Sequence, residues 1–125
     1  MKAMNIPEGY QAVMPYLIVN DARGFIAFLK KVFGGTEKML ELRDVNKVMH
    51  AEVMINGSVI MLADATEAYP PKAAGMFVYV DDVDKVYALA LQEGCHSLMP
   101  PDKKEYGRAA GFNDVYGNTW WPVTP

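Results

Sequence analysis

The 125-residue sequence has a single cysteine, no long apolar run and no cluster of basic residues. Cys95 has no partner for an internal disulfide, and no segment reaches the roughly 18 apolar residues that a membrane-spanning helix needs. The net charge is -3, and basic residues are adjacent only at Lys30-Lys31 and Lys103-Lys104. The sequence therefore predicts no binding to nucleic acid and no binding to an anionic membrane.

An export signal is also missing, because Met1 to Asn5 are followed by no long apolar segment. Together with the single cysteine, this predicts a cytoplasmic protein. The composition, 51% hydrophobic and 22% charged, is typical of a globular chain. A chain of this length buries about two-thirds of its unfolded surface, so we expect one domain over residues 1–125.

Landmarks in the sequence occur twice, about sixty residues apart. Val19-Asn20-Asp21 ends one apolar run and Val80-Asp81-Asp82 ends another. Each is followed by an amphipathic stretch that stops at a glycine, Gly34 in the first case and Gly94 in the second. This spacing predicts the duplication of one supersecondary unit, and paired units bury faces that neither can bury alone.

Each unit has the pattern of a strand, a helix and three further strands, which predicts an α+β fold of two βαβββ modules. Asp21 is the predicted N-cap of the first helix and Asp82 that of the second. Asn56-Gly57 predicts a two-residue hairpin turn. The predicted bounds are about 10–64 for the first module, 65–74 for the linker and 75–124 for the second module.

Strand alternation predicts which side chains face a ligand, since each helix covers only one face of its sheet. Met49, Ala51, Val53 and Ile55 are predicted on the helix side, which leaves His50, Glu52 and Met54 on the open face. The same parity places these further residues on the open faces: Met14, Tyr16, Ile18, Val59, Met61, Gly75, Phe77, Tyr79, Trp121 and Val123. Such an apolar and aromatic wall is typical of a small-molecule pocket.

Several motifs, in order and with matching spacing, resemble those of the vicinal oxygen chelate superfamily. They are Pro15 to Asp21, Phe28 to Gly34, His50-Ala51-Glu52, Ser58 to Asp64, Val80 to Asp84 and Asp114 to Trp121. Within the superfamily they are most similar to the PhnB-like branch of the glyoxalase and bleomycin resistance proteins. The resemblance covers about residues 12–124 and implies two βαβββ modules forming a curved mixed sheet around a cavity, usually in a homodimer.

Metal-dependent members of that superfamily place His, Gln or Glu on the first and last strands of each module. The resemblance assigns those positions to Met14, Met61, Gly75 and Trp121, none of which can supply an oxygen or imidazole ligand. We therefore expect no metal ion and no other cofactor. Metal-dependent lyase, isomerase and dioxygenase chemistry is disfavoured.

His50 and Glu52 are the candidate catalytic residues. They lie two positions apart on one face of a strand, so their side chains leave the backbone roughly 6 to 7 Å apart. At that distance they can share a proton or a ligand. One alternative is that His50 and Glu52 only form hydrogen bonds with each other or with a dimer partner, and take no part in chemistry. Another is that Glu52, alone or with His50, contributes to a metal site at a non-standard position.

Other side chains are candidates for ligand binding. Tyr106-Gly107-Arg108 brings a phenol and a guanidinium near the expected cavity mouth, where they could hold a carboxylate or a planar ring, although loop packing with a solvated Arg108 is the alternative. Alternation sends one of Trp120 and Trp121 inward, and Trp121 is predicted to form the cavity wall or to pack in the core. The predicted ligand-binding residues are Tyr16, Met61, Phe77, Tyr106, Arg108 and Trp121.

Two functions from different classes fit these observations. The first is a metal-free protein that holds an apolar or aromatic small molecule between the modules or at a dimer interface, with Tyr16, Trp121 and Arg108. The second is an enzyme of the lyase or isomerase type, with Glu52 or His50 as the base and Arg108 stabilising negative charge. A structural dimer with a collapsed cavity is a third. Binding is favoured over catalysis, because the four positions assigned to metal ligands carry no side chain that binds such a metal.

Overall fold

The protein is described by a computed structural model that covers residues 4–125. The prediction that Met1 to Asn5 begin no export signal therefore falls partly outside the described residues. Neither helix in the described part of the chain has the length and apolar character of a membrane span. The elements are β1 (Tyr16–Val19), α1 (Ala22–Phe33), β2 (Thr36–Leu42), β3 (Val48–Ile55), β4 (Ser58–Asp64), β5 (Gly75–Tyr79), α2 (Val83–Gln92), β6 (His96–Lys104), β7 (Gly107–Asn113) and β8 (Thr119–Thr124).

Each module forms its own mixed sheet of four strands, in the orders β1-β4-β3-β2 and β5-β8-β7-β6. In both sheets the first strand pairs in parallel with the last, and the remaining pairs are antiparallel. The α+β fold of two βαβββ modules is thus confirmed. Within residues 4–125 of one chain, however, no strand of the first sheet is hydrogen-bonded to a strand of the second.

Helix α1 begins and ends as the sequence predicts. The Asp21 carboxylate accepts a hydrogen bond from the amide of Gly24 at 3.0 Å, and Gly34 takes the left-handed conformation with φ of 66°. The apolar side chains of this amphipathic helix are buried: Phe25, Ile26, Phe28, Leu29 and Val32. The helix is therefore held by its packing as well as by its caps.

One hydrophobic core joins the two modules. The ring of Phe33, at the end of α1, lies 4.5 Å from the indole of Trp120 on β8 and 6.3 Å from the ring of Phe112 on β7, measured between centroids. Phe28 also approaches Trp120, at 6.4 Å. Because a helix of the first module packs against the sheet of the second, the modules share one core, and their open faces lie away from it.

Helix α2 is held less tightly than α1. Its N-cap is Asp82, as predicted, with the carboxylate accepting from the amide of Lys85 at 3.2 Å. On its apolar side, Val83, Val86 and Ala90 are buried, whereas Tyr87 and Leu89 are only partly buried.

Two turns are fixed by local sequence, and the one at Asn56-Gly57 forms as predicted. Asn56 and Gly57 have φ values of 47° and 86°, the positive pair that a tight two-residue hairpin requires. Before β8, the Asp114 carboxylate accepts hydrogen bonds from the amides of Tyr116 and Asn118 and from the indole Nε1 of Trp120, at 2.8 to 2.9 Å. The aspartate therefore shapes the turn and fixes a core side chain at once.

The prediction that Met49 faces the helix side of the sheet is wrong. The register between β2 and β3 shifts, so that Glu41 pairs with His50 and Leu42 pairs with Val48. Val48 consequently enters the core, while Met49 is 43% exposed and lies on the open side. An irregularity of this kind interrupts the strict alternation from which the face was inferred.

Candidate functional site

The open face of the first sheet carries a row of side chains across all four strands. Backbone partners across the sheet are Tyr16 with Met61, Met61 with Glu52, and Glu52 with Met39. Paired residues point to the same face, so these side chains are neighbours on the side away from helix α1. This row brings together the predicted residues Tyr16, Met61 and Glu52.

A chain of hydrogen bonds links four side chains on this face. The Tyr10 hydroxyl donates to Glu52 Oε1 at 2.5 Å, and His50 Nε2 lies 2.8 Å from Glu52 Oε2. The Tyr16 hydroxyl lies 3.0 Å from His50 Nδ1. If His50 Nε2 carries the proton and donates it to the carboxylate, Nδ1 is left as an acceptor for the Tyr16 hydroxyl.

The hydrogen bonds in this chain control the charge of Glu52. Its side chain is buried, and burial alone raises the pKa of the carboxyl. The hydrogen bonds from Tyr10 and His50, with the nearby charges of His50 and Lys38, outweigh that cost, so the pKa lies below its ordinary value. The hydrogen bond between Tyr10 and Glu52 also raises the pKa of the Tyr10 phenol. Near neutral pH, Glu52 is therefore a carboxylate and Tyr10 a neutral donor.

The segment before β1 covers part of the open face. Gln11 makes two hydrogen bonds to the backbone of Val59, through Nε2 at 2.9 Å and Oε1 at 3.3 Å. The ammonium of Lys38 lies 4.7 Å from the centre of the Tyr10 ring. These contacts explain why Val59 and Glu52 are buried although they point away from the helices. Sequence reasoning missed Tyr10 and Gln11, because their segment shows no strand or helix periodicity.

A cavity of about 600 Å³ lies beside this row on the same open face. We name it the sheet-one pocket. Its lining residues are Tyr16, Ile18, Arg43, Met49, Ala63, Asp64, Thr66 and Tyr69. One wall is a closed turn, in which the amide of Thr66 donates to the Tyr69 carbonyl and the amide of Tyr69 donates to Thr66 Oγ1, both at 3.0 Å.

A second cavity, of about 310 Å³, is lined by residues of both modules, and we name it the inter-module groove. It lies between the β3–β4 hairpin and β5, where Asn56 Nδ2 donates to the carbonyl of Tyr79 at 2.7 Å. Phe77 lines this inter-module groove, whereas Tyr16 lines the sheet-one pocket. The predicted ligand-binding residues therefore do not surround a single cavity in one chain.

The open face of the second sheet is aromatic. Phe77, Tyr79, Tyr106 and Trp121 are all exposed, and the Phe77 ring lies 5.1 Å from Tyr79 and 6.4 Å from Tyr106. The Trp121 indole lies against Gly111 on the neighbouring strand. As alternation predicts, Trp121 points outward while Trp120 is buried in the core.

Arg108 does not stand free at a cavity mouth. Its guanidinium makes two hydrogen bonds to the carboxylate of Asp84 on α2, at 2.8 and 2.9 Å. These bonds lower the pKa of Asp84 and raise that of Arg108. Arg108 lines neither the sheet-one pocket nor the inter-module groove, but a shallow depression at the β6–β7 turn that it shares with Tyr106.

The four positions that the resemblance assigns to metal ligands carry side chains that do not suit a divalent ion. Met14 precedes β1, and Met61 lies in β4 between Tyr16 and Glu52. Gly75 begins β5, and Trp121 lies in β8. Thioether, indole and hydrogen substituents do not replace the imidazole and carboxylate donors that such ions require. Within residues 4–125, no three His, Cys, Asp or Glu side chains form another candidate cluster.

Comparison with known families identifies the class of protein. The sequence model of the Glyoxalase/Bleomycin resistance protein/Dioxygenase superfamily matches residues 10–121. The chain therefore belongs to this superfamily.

Individual relatives extend the comparison. An uncharacterized protein of Mycobacterium bovis is 28% identical over 121 residues, covering 87% of this chain and 80% of the relative. The crystal structure of TioX from Micromonospora sp. ML1 superposes with a TM-score of 0.75 at 21% identity, covering 91% of this chain and 98% of TioX. TnmS3 from Streptomyces sp. CB03234, described as an antibiotic binding protein, superposes with a TM-score of 0.67 at 23% identity, covering 93% of this chain and 99% of TnmS3. At these identities the structural likeness supports the fold alone.

Proposed function

We propose that the protein binds a small organic molecule in the sheet-one pocket. The observation that carries this proposal is a cavity of about 600 Å³ on the open face, within the size range of small-molecule sites. Ile18, Met49 and Ala63 give it an apolar floor, while Tyr16 and Arg43 add polar groups. TnmS3, which has the same fold, is described as an antibiotic binding protein, so the fold is compatible with this class of function.

Filling the pocket tests the proposal. Ala63 is buried under the cavity, so Ala63→Leu should occupy its floor and weaken binding of the neutral fluorescent probe N-phenylnaphthylamine at least about tenfold. Ser58→Leu is the matched control, because Ser58 lines only the inter-module groove. Loss of binding in the control but not in the Ala63 variant would assign the site to the groove instead. A displacement screen of aromatic metabolites and antibiotics then follows.

We further propose that binding needs no metal ion or other cofactor. The support is the donor set at Met14, Met61, Gly75 and Trp121, which lacks every usual ligand type. Elemental analysis of protein purified without chelators is expected to show less than stoichiometric Ni, Zn, Mn and Fe. One bound ion per chain would contradict this part of the proposal and would direct attention to Glu52 and His50.

The protein is proposed to act as a homodimer. Large apolar side chains stand on both open faces, including Tyr16 at 50% exposure and Phe77 at 54%. A second protomer that covers these faces would bring Phe77, Tyr106 and Trp121 towards the ligand, which a single chain does not do. Light scattering should then give twice the 13.9 kDa chain mass. Phe77→Arg should yield the monomer, and Val115→Arg, at an exposed turn, should not.

Proton-transfer catalysis is a second candidate function. The observation that favours it is the chain from Tyr16 through His50 to Glu52, in which a carboxylate orients an imidazole that can accept the Tyr16 proton. The test is exchange of carbon-bound hydrogen for deuterium in a panel of carbonyl compounds, followed by NMR. Activity should be lost in Glu52→Gln and in Tyr16→Phe. Exchange at the buffer rate throughout would eliminate this candidate.

Two finer assignments remain proposals as well. Placement in the PhnB-like branch rests on motifs such as His50-Ala51-Glu52 and Asp114 to Trp121. A cytoplasmic location rests on the single cysteine, Cys95, which has no partner for an internal disulfide. Fractionation of the native host cell, with an antibody against the protein, tests the location directly.

A further inference from the structure

Arg43 brings a positive charge to the sheet-one pocket. It stands in the turn between β2 and β3, where its amide donates to the carbonyl of Lys47 at 2.9 Å. The carboxylate of Asp44 accepts from the amides of Asn46 and Lys47, at 2.8 and 2.9 Å, which fixes the turn. Arg43 Nη2 then reaches the backbone carbonyl of Asp64 at 3.3 Å, so the guanidinium sits at the end of β4.

The charge of Arg43 is not neutralised by a neighbouring carboxylate. Among residues 4–125, no ion pair within 4.0 Å involves Arg43, whereas Arg108 is paired with Asp84 at 2.8 Å. Asp64 is the acid in the pocket lining, but its carboxylate is hydrogen-bonded to backbone amides and not to Arg43. Its two oxygens accept from the amide of Ala22 at 2.9 Å and from the amide of Val48 at 2.7 Å.

The rest of the pocket is suited to an apolar body. Ile18, Met49 and Ala63 form its floor, and Tyr69 from the linker stands at its rim. A guanidinium presents a planar fork of donors that matches a carboxylate or sulfonate, and its attraction for an anion is stronger next to an apolar surface than in open water.

We propose that the sheet-one pocket selects organic anions, with the anionic group held by Arg43 and an apolar or aromatic body held on Ile18, Met49 and Ala63. The inference rests on the proposed binding function and specifies the chemical class of its ligand. It makes Arg43, which the sequence pattern does not single out, the residue that determines specificity.

Two probes of similar shape test the charge preference. Anilinonaphthalene sulfonate carries a sulfonate, and N-phenylnaphthylamine has nearly the same ring system without it. Wild-type protein should bind the sulfonate at least about tenfold more tightly, and Arg43→Gln should remove that preference while it changes the affinity for the neutral probe less than about twofold. Arg43→Lys should keep part of the preference, because the charge remains but the planar fork is lost.

Controls separate this inference from the underlying proposal. Arg108→Gln removes an arginine outside the pocket and should leave both affinities unchanged. Amide shifts in an NMR titration with the sulfonate should be centred on Met49, Ala63 and Tyr69. If neither probe binds, the binding function itself fails. If both bind equally, if Arg43→Gln weakens both alike, or if Met49, Ala63 and Tyr69 show no shifts while Phe77 and Trp121 do, the anion site is wrong.

Discussion

The two modules have the same fold, but their open faces carry different chemistry. The first bears the hydrogen-bonded chain of Tyr10, Glu52, His50 and Tyr16. The second presents exposed rings, among them Phe77, and no comparable linked polar group is found there in the described chain. The two modules thus share a scaffold, while the faces that do not support the core differ in chemistry.

The helices differ in the same direction. Helix α1 buries seven residues and reaches the core of both modules, whereas α2 buries three. The first module therefore contributes more to the common core as well as carrying the proposed site. Each of the following predictions tests one side of this asymmetry.

The largest difference is expected between two leucines on the helices. Leu29 of α1 is fully buried, so Leu29→Ala should lower the free energy of unfolding by about 2–5 kcal/mol. Leu91 of α2 is 41% exposed, and Leu91→Ala should cost less than about 1 kcal/mol. Urea unfolding measures both. Equal losses would show that α2 is as strongly packed as α1.

A smaller effect is expected from two aspartates that hold backbone amides at strand ends. Asp64→Ala would leave the buried amides of Ala22 and Val48 without their acceptor, at a cost of about 2–4 kcal/mol. Asp114→Ala should cost a similar amount, because it frees the Trp120 indole and two turn amides.

Hydrogen exchange measures where each loss acts. Exchange should accelerate first around α1 and β3 in the Asp64 variant, and around β8 in the Asp114 variant. Identical exchange patterns in the two variants would contradict separate local roles.

Glu52 should make the stability of the protein fall as the pH is lowered in the acidic range. Because its pKa is lowered on folding, its contribution is present above its ordinary value of 4.5 and is lost as pH falls below it, towards the lower pKa of the folded state. Glu52→Gln should therefore flatten the fall in stability below about pH 4.5. Glu41→Gln, at an exposed position of β2, is the control and should keep the wild-type slope. Thermal unfolding between pH 3 and 7 measures the slopes.

The smallest effect is expected at the surface ion pair of the second module. Arg108 and Asp84 are both well exposed, so solvent and salt weaken their attraction. Arg108→Ala should leave the thermal midpoint unchanged within experimental error at physiological salt. A clear destabilisation that disappears in high salt would mean that this pair supports α2 more than its exposure indicates.

The comparison between modules also shows how far the sequence determines the structure. Local signals, such as the Asp21 and Asp82 caps and the Asn56-Gly57 turn, act over a few residues and predicted the elements correctly. The face of Met49 was missed, because a register shift depends on pairing with a separate strand.

The candidate site was only partly predictable for the same reason. His50, Glu52 and Tyr16 follow strand parity, and the structure brings them together. Tyr10 reaches Glu52, and Arg43 reaches Asp64, only through tertiary contacts made by irregular segments. No periodic pattern in the sequence marks either residue.

The contact between Phe33 and Trp120 has a consequence for the independence of the two modules. A polypeptide cut in the linker would leave Phe28 and Phe33 of the first half facing water, and Trp120 of the second half without its cover. We therefore expect that neither fragment would fold stably alone, although the two halves of the sequence resemble each other. A single module would need a partner to shield the same surface from water.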